Sequence, residues 1–248
     1  MKLSFVIPAY NEEFYIGQCL ASVLREISQN NYNIEVIVVN NASTDQTALI
    51  ASSFAGVKVI NEPRKGITYA RQAGFLASTG DLIANIDADT ILPIGWLATV
   101  FQSFNQRSSL VALSGPFIYF DASSWVRFLV LFYYYLGFLS YLLNRFVLQV
   151  GSMLQGGNFI VRREALQKSG GHNTALFFYG EDLDLACRLW KIGEVKFTFD
   201  LPMYASARRL QGEGLLTMAC RYAINYFWTI FFNRPFTKKY VDIRFPKD

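Results

Sequence analysis

Asp87-Ala88-Asp89 places two carboxylates at alternate positions just after the apolar run Leu82-Ile83-Ala84-Asn85-Ile86. A strand sends successive side chains to opposite faces, so an Asp-x-Asp at its C-terminal end can aim both acids at one place. Such a pair suits a hard divalent ion that also holds a diphosphate, because Mg2+ and Mn2+ favour oxygen ligands and often retain substrate phosphates. A second acidic cluster, Glu181-Asp182-Leu183-Asp184, follows about a hundred residues later. Together the two clusters predict a metal–diphosphate site and a separate general base.

Composition narrows the field. A chain of 248 residues with 52% hydrophobic content can bury a substantial core. With 22 Phe and 14 Tyr, contact with lipid or an apolar acceptor is in keeping with the sequence. A net charge of +4, with no basic run interleaved with aromatics, argues against nucleic acid as a partner. Cys19, Cys187 and Cys220 are widely spaced, form no CxxC pair and fit a reducing compartment. The single histidine, His172, excludes an ordinary His/Cys zinc site and reads as a loop residue without catalytic duty. Met1 to Pro8 is too short and turns polar too soon for a secretory signal, so a cytoplasmic location is expected, with peripheral contact at the cytoplasmic membrane face as a further expectation.

Several elements must position these acids. Apolar runs predict strands at Leu3–Ile7, Ile34–Val39, Val57–Ile60, Leu82–Ile86 and Leu110–Ile118. Helical patterns between them cover Glu12–Glu26, Asp45–Phe54, Ile67–Ala77 and Ile94–Phe104. This alternation predicts an α/β fold, a Rossmann-like, mainly parallel sheet flanked by helices. Ligands gather beyond the strand C-termini of such sheets, where Pro8-Ala9-Tyr10-Asn11-Glu12, Asn40-Asn41 and Asp87/Asp89 fall. No GxGxxG or GxxxxGK[ST] follows a strand, which disfavours a dinucleotide cofactor or a P-loop ATPase.

The second half is less regular. Ser123 to Val150 is aromatic and uncharged between Arg127 and Arg145. Three readings stand: an amphipathic helix in the membrane interface or lining a lipid acceptor groove, a core or dimer contact, and a bilayer span. A single span would set Asp87/Asp89 and Asp182 on opposite sides of the membrane, which argues against the third. Gly151 to Asn158 reads as a glycine-rich loop, Phe159–Val161 as a short strand, and Glu181–Trp190 as a helix with acids in its first turn. Leu215–Phe232 is a second aromatic-rich helix, ahead of a tail carrying Arg234, Lys238, Lys239, Arg244 and Lys247 that would favour anionic lipid or simply be solvated. The expected organisation is one continuous domain, with residues 1–120 binding a nucleotide-sugar and 121–248 an acceptor.

The motifs resemble those of glycosyltransferase family 2. Ser4-Phe5-Val6-Ile7-Pro8-Ala9-Tyr10-Asn11-Glu12-Glu13 and Val38-Val39-Asn40-Asn41-Ala42-Ser43-Thr44-Asp45 look like that family's opening. Gly66, Ala70-Arg71-Gln72-Ala73-Gly74, Asp87-Ala88-Asp89, Gly156-Gly157-Asn158 and Gly180-Glu181-Asp182-Leu183-Asp184-Leu185 follow in the family's order. The resemblance implies a GT-A fold, a nucleotide-diphosphate sugar donor (UDP or GDP), Mn2+ or Mg2+, and inverting transfer to a hydroxyl or phosphate. The acceptor would be lipid-linked or membrane-proximal; oligomeric state is left open.

Carried over by position, Pro8, Tyr10 and Glu12 would line the base and ribose pocket. Asn40 stands where the family often has an acid, which changes the hydrogen-bonding available to the base, since an amide both donates and accepts. Arg71 would reach the diphosphate, being always charged and able to grip phosphate at two points; a helix-surface ion pair is the alternative. Asp89 would ligate the metal with Asp87 supporting it, and Arg208-Arg209 would close over the diphosphate. Asp182 would take the proton of the attacking hydroxyl, with Glu181, Gly157 and Asn158 on the acceptor side. Asp184 and Arg188, four apart on one helix, are expected to pair, and Asp45 to cap the helix after it.

The Gln-x-x-Arg-Trp motif of processive synthases is absent from the sequence, in keeping with transfer of one sugar. Two rivals remain at this level: a nucleotidyltransferase of related fold, which would carry a basic glycine-rich signature after the first strand, and a non-catalytic nucleotide-sugar or membrane-binding module.

Overall fold

The computed structural model describes residues 1–148, 152–176 and 178–232, and positions 236, 237 and 242. The chain runs β1 (Lys2–Ala9), α1 (Ile16–Ser28), β2 (Asn33–Asn40), α2 (Thr47–Ser52), β3 (Val57–Asn61), α3 (Ile67–Ala77) and β4 (Leu82–Ile86). It continues through β5 (Thr90–Ile91), α4 (Trp96–Gln106), β6 (Leu110–Ser114), β7 (Phe117–Tyr119) and α5 (Ser124–Leu143), which passes into a π-helical turn at Asn144–Leu148. Then come β8 (Asn158–Arg162), α6 (Arg163–Lys168), α7 (Glu181–Trp190), β9 (Glu194–Phe197), β10 (Met203–Ala205), α8 (Arg208–Glu213) and α9 (Leu215–Phe232).

Seven strands form the main sheet in the order β3-β2-β1-β4-β8-β6-β9. Pairing is parallel except at β8, which runs antiparallel to both β4 and β6. Central strands of such a sheet are covered on both faces and read as unbroken apolar runs. In β1, Leu3, Phe5 and Ile7 enter one core with α1 and α4, while Val6 enters the other with α3 and α7. The helices present matching stripes: Ile16, Cys19, Leu20 and Val23 on α1, and Leu185, Ala186 and Leu189 on α7. Strands from both sides of residue 120 therefore share one sheet.

The expected strand Leu110–Ile118 is two strands. It breaks at Gly115-Pro116, and β7 leaves the main sheet to join a small one ordered β5-β10-β7. A Cβ at position 115 would lie 2.0 Å from the Leu201 carbonyl oxygen, so only glycine lets the two backbones pass. Pro116 then has no N–H with which to continue the ladder. The small sheet carries the segment after β10 back across the C-terminal ends of the main strands.

Helix α5 lies on the outside. Tyr141 hydroxyl donates to Val195 O at 3.1 Å and Tyr133 hydroxyl to Ala219 O at 3.2 Å, which fix one face against the fold. The opposite face exposes Trp125, Phe128, Phe132, Leu139 and Phe146. The Ser124–Val147 segment is long and apolar enough to cross a bilayer by length and composition, and only 11% of its most apolar stretch is buried. The basic residues expected beyond α9 (Arg234, Lys238, Lys239, Arg244 and Lys247) and Gly151 lie outside the described residues.

Candidate active site

Polar residues of several segments converge beyond the C-terminal ends of β1, β2 and β4 and the N-terminal end of the antiparallel β8. On the first two strands the chain turns sharply, with Asn11 at φ 52° and Ala42 at φ 59°. The two turns lock together: Asn11 N–H donates to Ser43 Oγ at 3.1 Å, and Thr44 N–H returns a bond to Asn11 Oδ1 at 2.9 Å. Asp45 accepts from Thr47 N–H at 3.0 Å, where α2 begins, and from Glu13 N–H at 3.1 Å. Helices α1 and α2 thus start two to four residues later than their patterns predict, because the polar residues ahead of them are spent on this lock.

Pro8 is buried within β1, its Cα in register with Val39. Tyr10 is stacked under Lys65, whose Nζ is 4.5 Å from the ring centroid and donates to the phenol oxygen at 2.8 Å. Asn40 gives its amide to Asn61 Oδ1 at 2.8 Å and accepts from Ser43 N–H at 3.2 Å. Asn41 holds the next loop: its amide donates to Glu62 O at 3.0 Å and Arg64 O at 2.7 Å, and it accepts from Gly66 N–H at 2.9 Å. Asn41 was expected among the polar residues beyond the strand ends, but Lys65 escaped the sequence reading. Its signal was modest, the loop Glu62-Pro63-Arg64-Lys65-Gly66 at the C-terminal end of a parallel strand.

Beyond β4 the chain turns on Asp87, whose carbonyl accepts from Thr90 N–H at 3.2 Å and Thr90 Oγ1 at 2.7 Å. Arg71 reaches this turn from α3, with NH2 3.2 Å from Asp87 Oδ1. Its other terminal nitrogen is hydrogen-bonded to Glu181, and its guanidinium carbon stands 5.3 Å from the Phe159 ring centroid. Arg71 is 2% exposed and Glu181 is 8% exposed. The expectations put Arg71 on the diphosphate and Glu181 on the acceptor; both side chains lie beneath the cleft surface, with their charges directed at each other. Burial pushes the Glu181 carboxyl up to about 7 against the pull of Arg71, with Asp182 adding to the rise.

Asp182 stands one residue into α7. Its carboxylate accepts from Gly156 N–H at 3.0 Å and Leu183 N–H at 2.9 Å. Burial raises its pKa, and Arg71 and these donors oppose the rise. The next residue, Gly157, faces Asp87: its φ is 81°, and a Cβ there would sit 2.1 Å from Asp87 Oδ2. Consecutive glycines therefore touch the two acidic clusters that are far apart in sequence. Asn158 is fully buried, donating to Gly115 O at 3.0 Å and Leu201 O at 2.9 Å, so its side chain sits in the wall of the cleft. Asp184 pairs with Arg188 at 2.7 Å, as their spacing predicts.

A model of the family described as Glycosyl transferase family 2 matches residues 4–170. The chain belongs to glycosyltransferase family 2. YdaM of Bacillus subtilis, a probable glycosyltransferase, is 28% identical over 216 residues, which span 77% of this chain and 47% of that protein. The pneumococcal glycosyltransferase GlyA is 25% identical over 134 residues, 52% of this chain and 19% of GlyA. The chain thus spans less than half the length of these two relatives. Among solved structures, a mannosyltransferase of Pyrobaculum calidifontis in complex with GDP-Man and Mn2+ aligns with a TM-score of 0.63 at 19% identity, covering 87% of this chain and 62% of that one. Glucosyl-3-phosphoglycerate synthase of Mycobacterium tuberculosis, with Mn2+, UDP and phosphoglyceric acid, aligns at 0.61 and 22% identity, covering 92% and 78%. The fold they share is GT-A.

Asp89, the other acid of the family motif, is held from the far end of the chain. Arg208 Nε lies 3.0 Å from Asp89 Oδ2, and NH2 lies 2.6 Å from Glu12 Oε1. Burial works against this guanidinium's charge, but Asp89 and Glu12 outweigh it and the net shift is upward. A carboxylate that already holds a cation fits a hard divalent ion. Among the described residues no three His, Cys, Asp or Glu side chains cluster as a metal cage. Asp89 and Asp87 would therefore be the protein's contribution, with diphosphate and water completing the coordination.

Around Asp182 stand aromatics that no short motif announces. Tyr134 hydroxyl donates to Gln155 Oε1 at 2.8 Å and accepts from Phe117 N–H at 3.1 Å. Arg209 stands 4.7 Å over Phe178, and Arg221 donates to Tyr179 hydroxyl at 3.0 Å. Burial raises the pKa of Tyr119, Tyr134 and Tyr222, so these phenols stay neutral across the working range. His172, expected in a loop without catalytic duty, is buried beside Phe159 with its backbone N–H on Gln72 Oε1 at 2.9 Å.

Proposed function

We propose that the protein is an inverting, metal-dependent glycosyltransferase that moves one sugar from a nucleotide-diphosphate donor to an acceptor. The observation that supports this reading is the contact of Gly156 with Asp182 and of Gly157 with Asp87. It brings a candidate base and a candidate metal-side acid to two neighbouring residues of one loop. Inverting displacement requires a carboxylate facing the attacking hydroxyl, opposite the departing diphosphate.

Asp182 has the attributes of that base: two backbone donors fix its rotamer, and a raised pKa makes it a better proton acceptor once ionised. Tyr10, Glu12, Asn40 and Lys65 border the region beyond β1 and β2 where the nucleotide would lie, with Pro8 shaping its floor. UDP and GDP are the nucleotides favoured by the family resemblance. Mn2+ or Mg2+ at Asp89, supported by Asp87, would stabilise charge on the leaving diphosphate. Gly157, expected on the acceptor side, leaves room for the Asp87 carboxylate.

The acceptor is a lipid-linked or membrane-proximal hydroxyl or phosphate. Support comes from the walls: Tyr119, Tyr134, Tyr179 and Tyr222 lead outward from Asp182 to α5 and α9, whose outer faces expose Trp125, Phe128, Leu216 and Phe227. A helix of this kind lies well in a bilayer interface, aromatic face inward. Peripheral contact at the cytoplasmic face follows. The division of labour would run from a donor half, residues 1–120, to an acceptor half, residues 121–248.

The test is a pair of variants read for binding and transfer separately. Asp182→Asn is expected to abolish transfer while leaving calorimetric binding of a UDP- or GDP-sugar with Mn2+ within about threefold of wild type, since general-base loss typically costs ~10²–10⁴ in rate. Asp89→Ala is expected to weaken metal-dependent donor binding. Full transfer by Asp182→Asn would overturn the mechanism.

A further inference from the structure

Two distant parts of the chain meet on the Arg208 guanidinium. It bonds Asp89 after β4, it bonds Glu12 after β1, and it covers the Tyr15 ring at 4.7 Å. The backbone around it is held as well. Ser206 N–H donates to Asp89 O at 3.2 Å, and Asp121 accepts from Ser206 Oγ at 2.8 Å and Ala207 N–H at 2.6 Å. The carboxylate best placed to ligate a divalent ion is thus matched to a built-in monovalent cation.

That match sets a condition on metal entry. An ion at Asp89 competes with Arg208 for the same oxygen, and two like charges at that range repel. Moving Arg208 away also breaks its ion pair with Glu12, which is 3% exposed, and breaking a buried ion pair is costly. A bare ion offers nothing in return, because the described side chains supply only Asp87 and Asp89 and no third ligand. An ion that arrives on a diphosphate brings anionic oxygens to which Arg208 can turn, and guanidinium grips phosphate in a two-point fork.

We propose that Arg208 is a specificity-determining residue that keeps a free divalent cation off Asp89 and admits the cation together with a nucleoside diphosphate. The metal then enters with the donor and leaves with the spent nucleotide, and the protein alone is a poor metal binder. This rests on the reading of Asp89 as a metal ligand given under Proposed function.

The experiment is a Mn2+ titration followed by the electron paramagnetic resonance signal of the free ion. It is run on the full chain without nucleotide and with saturating UDP or GDP. Wild type is expected to bind Mn2+ weakly alone and at least about tenfold more tightly with the fitting nucleotide. Arg208→Gln is expected to bind Mn2+ alone about five- to tenfold more tightly than wild type, since a competing charge is gone, and to lose most of the gain from nucleotide. Arg208→Lys, which keeps the charge, stays near wild type without nucleotide and reports that the fold is intact. Arg208→Gln with unchanged or weaker Mn2+ binding in the absence of nucleotide would overturn the proposal, as would a wild type that binds Mn2+ equally well in both conditions. A titration indifferent to Asp89→Asn in both conditions would remove the cation site, and with it the underlying reading as well.

Discussion

Arg71 and Glu181 form an ion pair that ties α3 to the first residue of α7, one position before Asp182. The same guanidinium reaches Asp87, so one buried cation spans the metal-side turn and the base-bearing helix. Removing one member of a buried pair leaves the other uncompensated, which typically costs about 3–5 kcal/mol, whereas replacing both with apolar groups can be close to neutral. Arg71→Met is therefore expected to lower stability by roughly that amount, and Arg71→Met/Glu181→Leu to recover a large part of it. A denaturant-melt double-mutant cycle checks this. If Arg71 positions the two acids, the double variant stays folded yet turns over slowly, with donor binding little changed. A loss confined to donor affinity would return Arg71 to the diphosphate.

Gly157 admits no side chain. Its φ of 81° strains any L-residue, and a Cβ would occupy the space of the Asp87 carboxylate. Gly157→Ala is expected to displace Asp87 and reduce transfer by about tenfold or more, because small misplacements of reacting groups are costly in rate. Gly170→Ala is the control: φ is again positive, at 87°, but no atom lies within 4 Å of the added Cβ. Comparable loss of transfer at both sites, at matched stability, would show that backbone strain and not the Asp87 contact is responsible.

The sheet and the acids were legible in the sequence for the same physical reason. Buried parallel strands carry continuous apolar runs, and β4 ends at its predicted residue, Ile86, with Asp87 next. The extents of α3, α7 and α9 also match their sequence patterns. What local pattern hides is what side chains do across the fold. Nothing near Arg71 says that its partner lies 110 residues away, and nothing near Arg208 says that it will meet Glu12. Asn158 belongs to a family motif, yet its amide serves two backbone carbonyls where β6 and β7 part company.

His172 offers a pH-dependent test of stability. Burial drives its imidazole pKa down to about 3, with Arg71 and Arg188 adding to the fall. The unfolded chain takes up this proton near pH 6.5 and the folded chain does not, so acid favours the unfolded state. Stability from this group is complete above about pH 6.5 and declines as pH falls toward 3. His172→Gln is expected to remove this acid-side loss between pH 6.5 and 5. Glu181, raised to about 7, slopes the other way in this window but does so in both proteins and cancels in the difference. Denaturation midpoints at half-unit intervals measure it; identical slopes in wild type and variant would mean that His172 is protonated in the fold.

The exposed face of α5 is the most direct handle on where the acceptor resides. Phe128 is 57% exposed, Phe132 is 55% exposed and Leu139 is 62% exposed on this face of the 20-residue helix. The internal contacts through Tyr133, Tyr134 and Tyr141 leave this face unused. Charged residues there cost little in water but oppose entry into the interface, while each apolar side chain withdrawn from water contributes about 1.5–3 kcal/mol. Phe128→Glu/Phe132→Glu/Leu139→Glu is therefore expected to keep its melting temperature within a few degrees of wild type and to lose at least about tenfold in partitioning onto liposomes. Transfer to a water-soluble acceptor should survive in this variant, and transfer to a lipid-linked acceptor presented in vesicles should fall. Equal loss with both acceptors would mean that α5 supports the cleft itself, and unchanged liposome binding would move the membrane contact to another face.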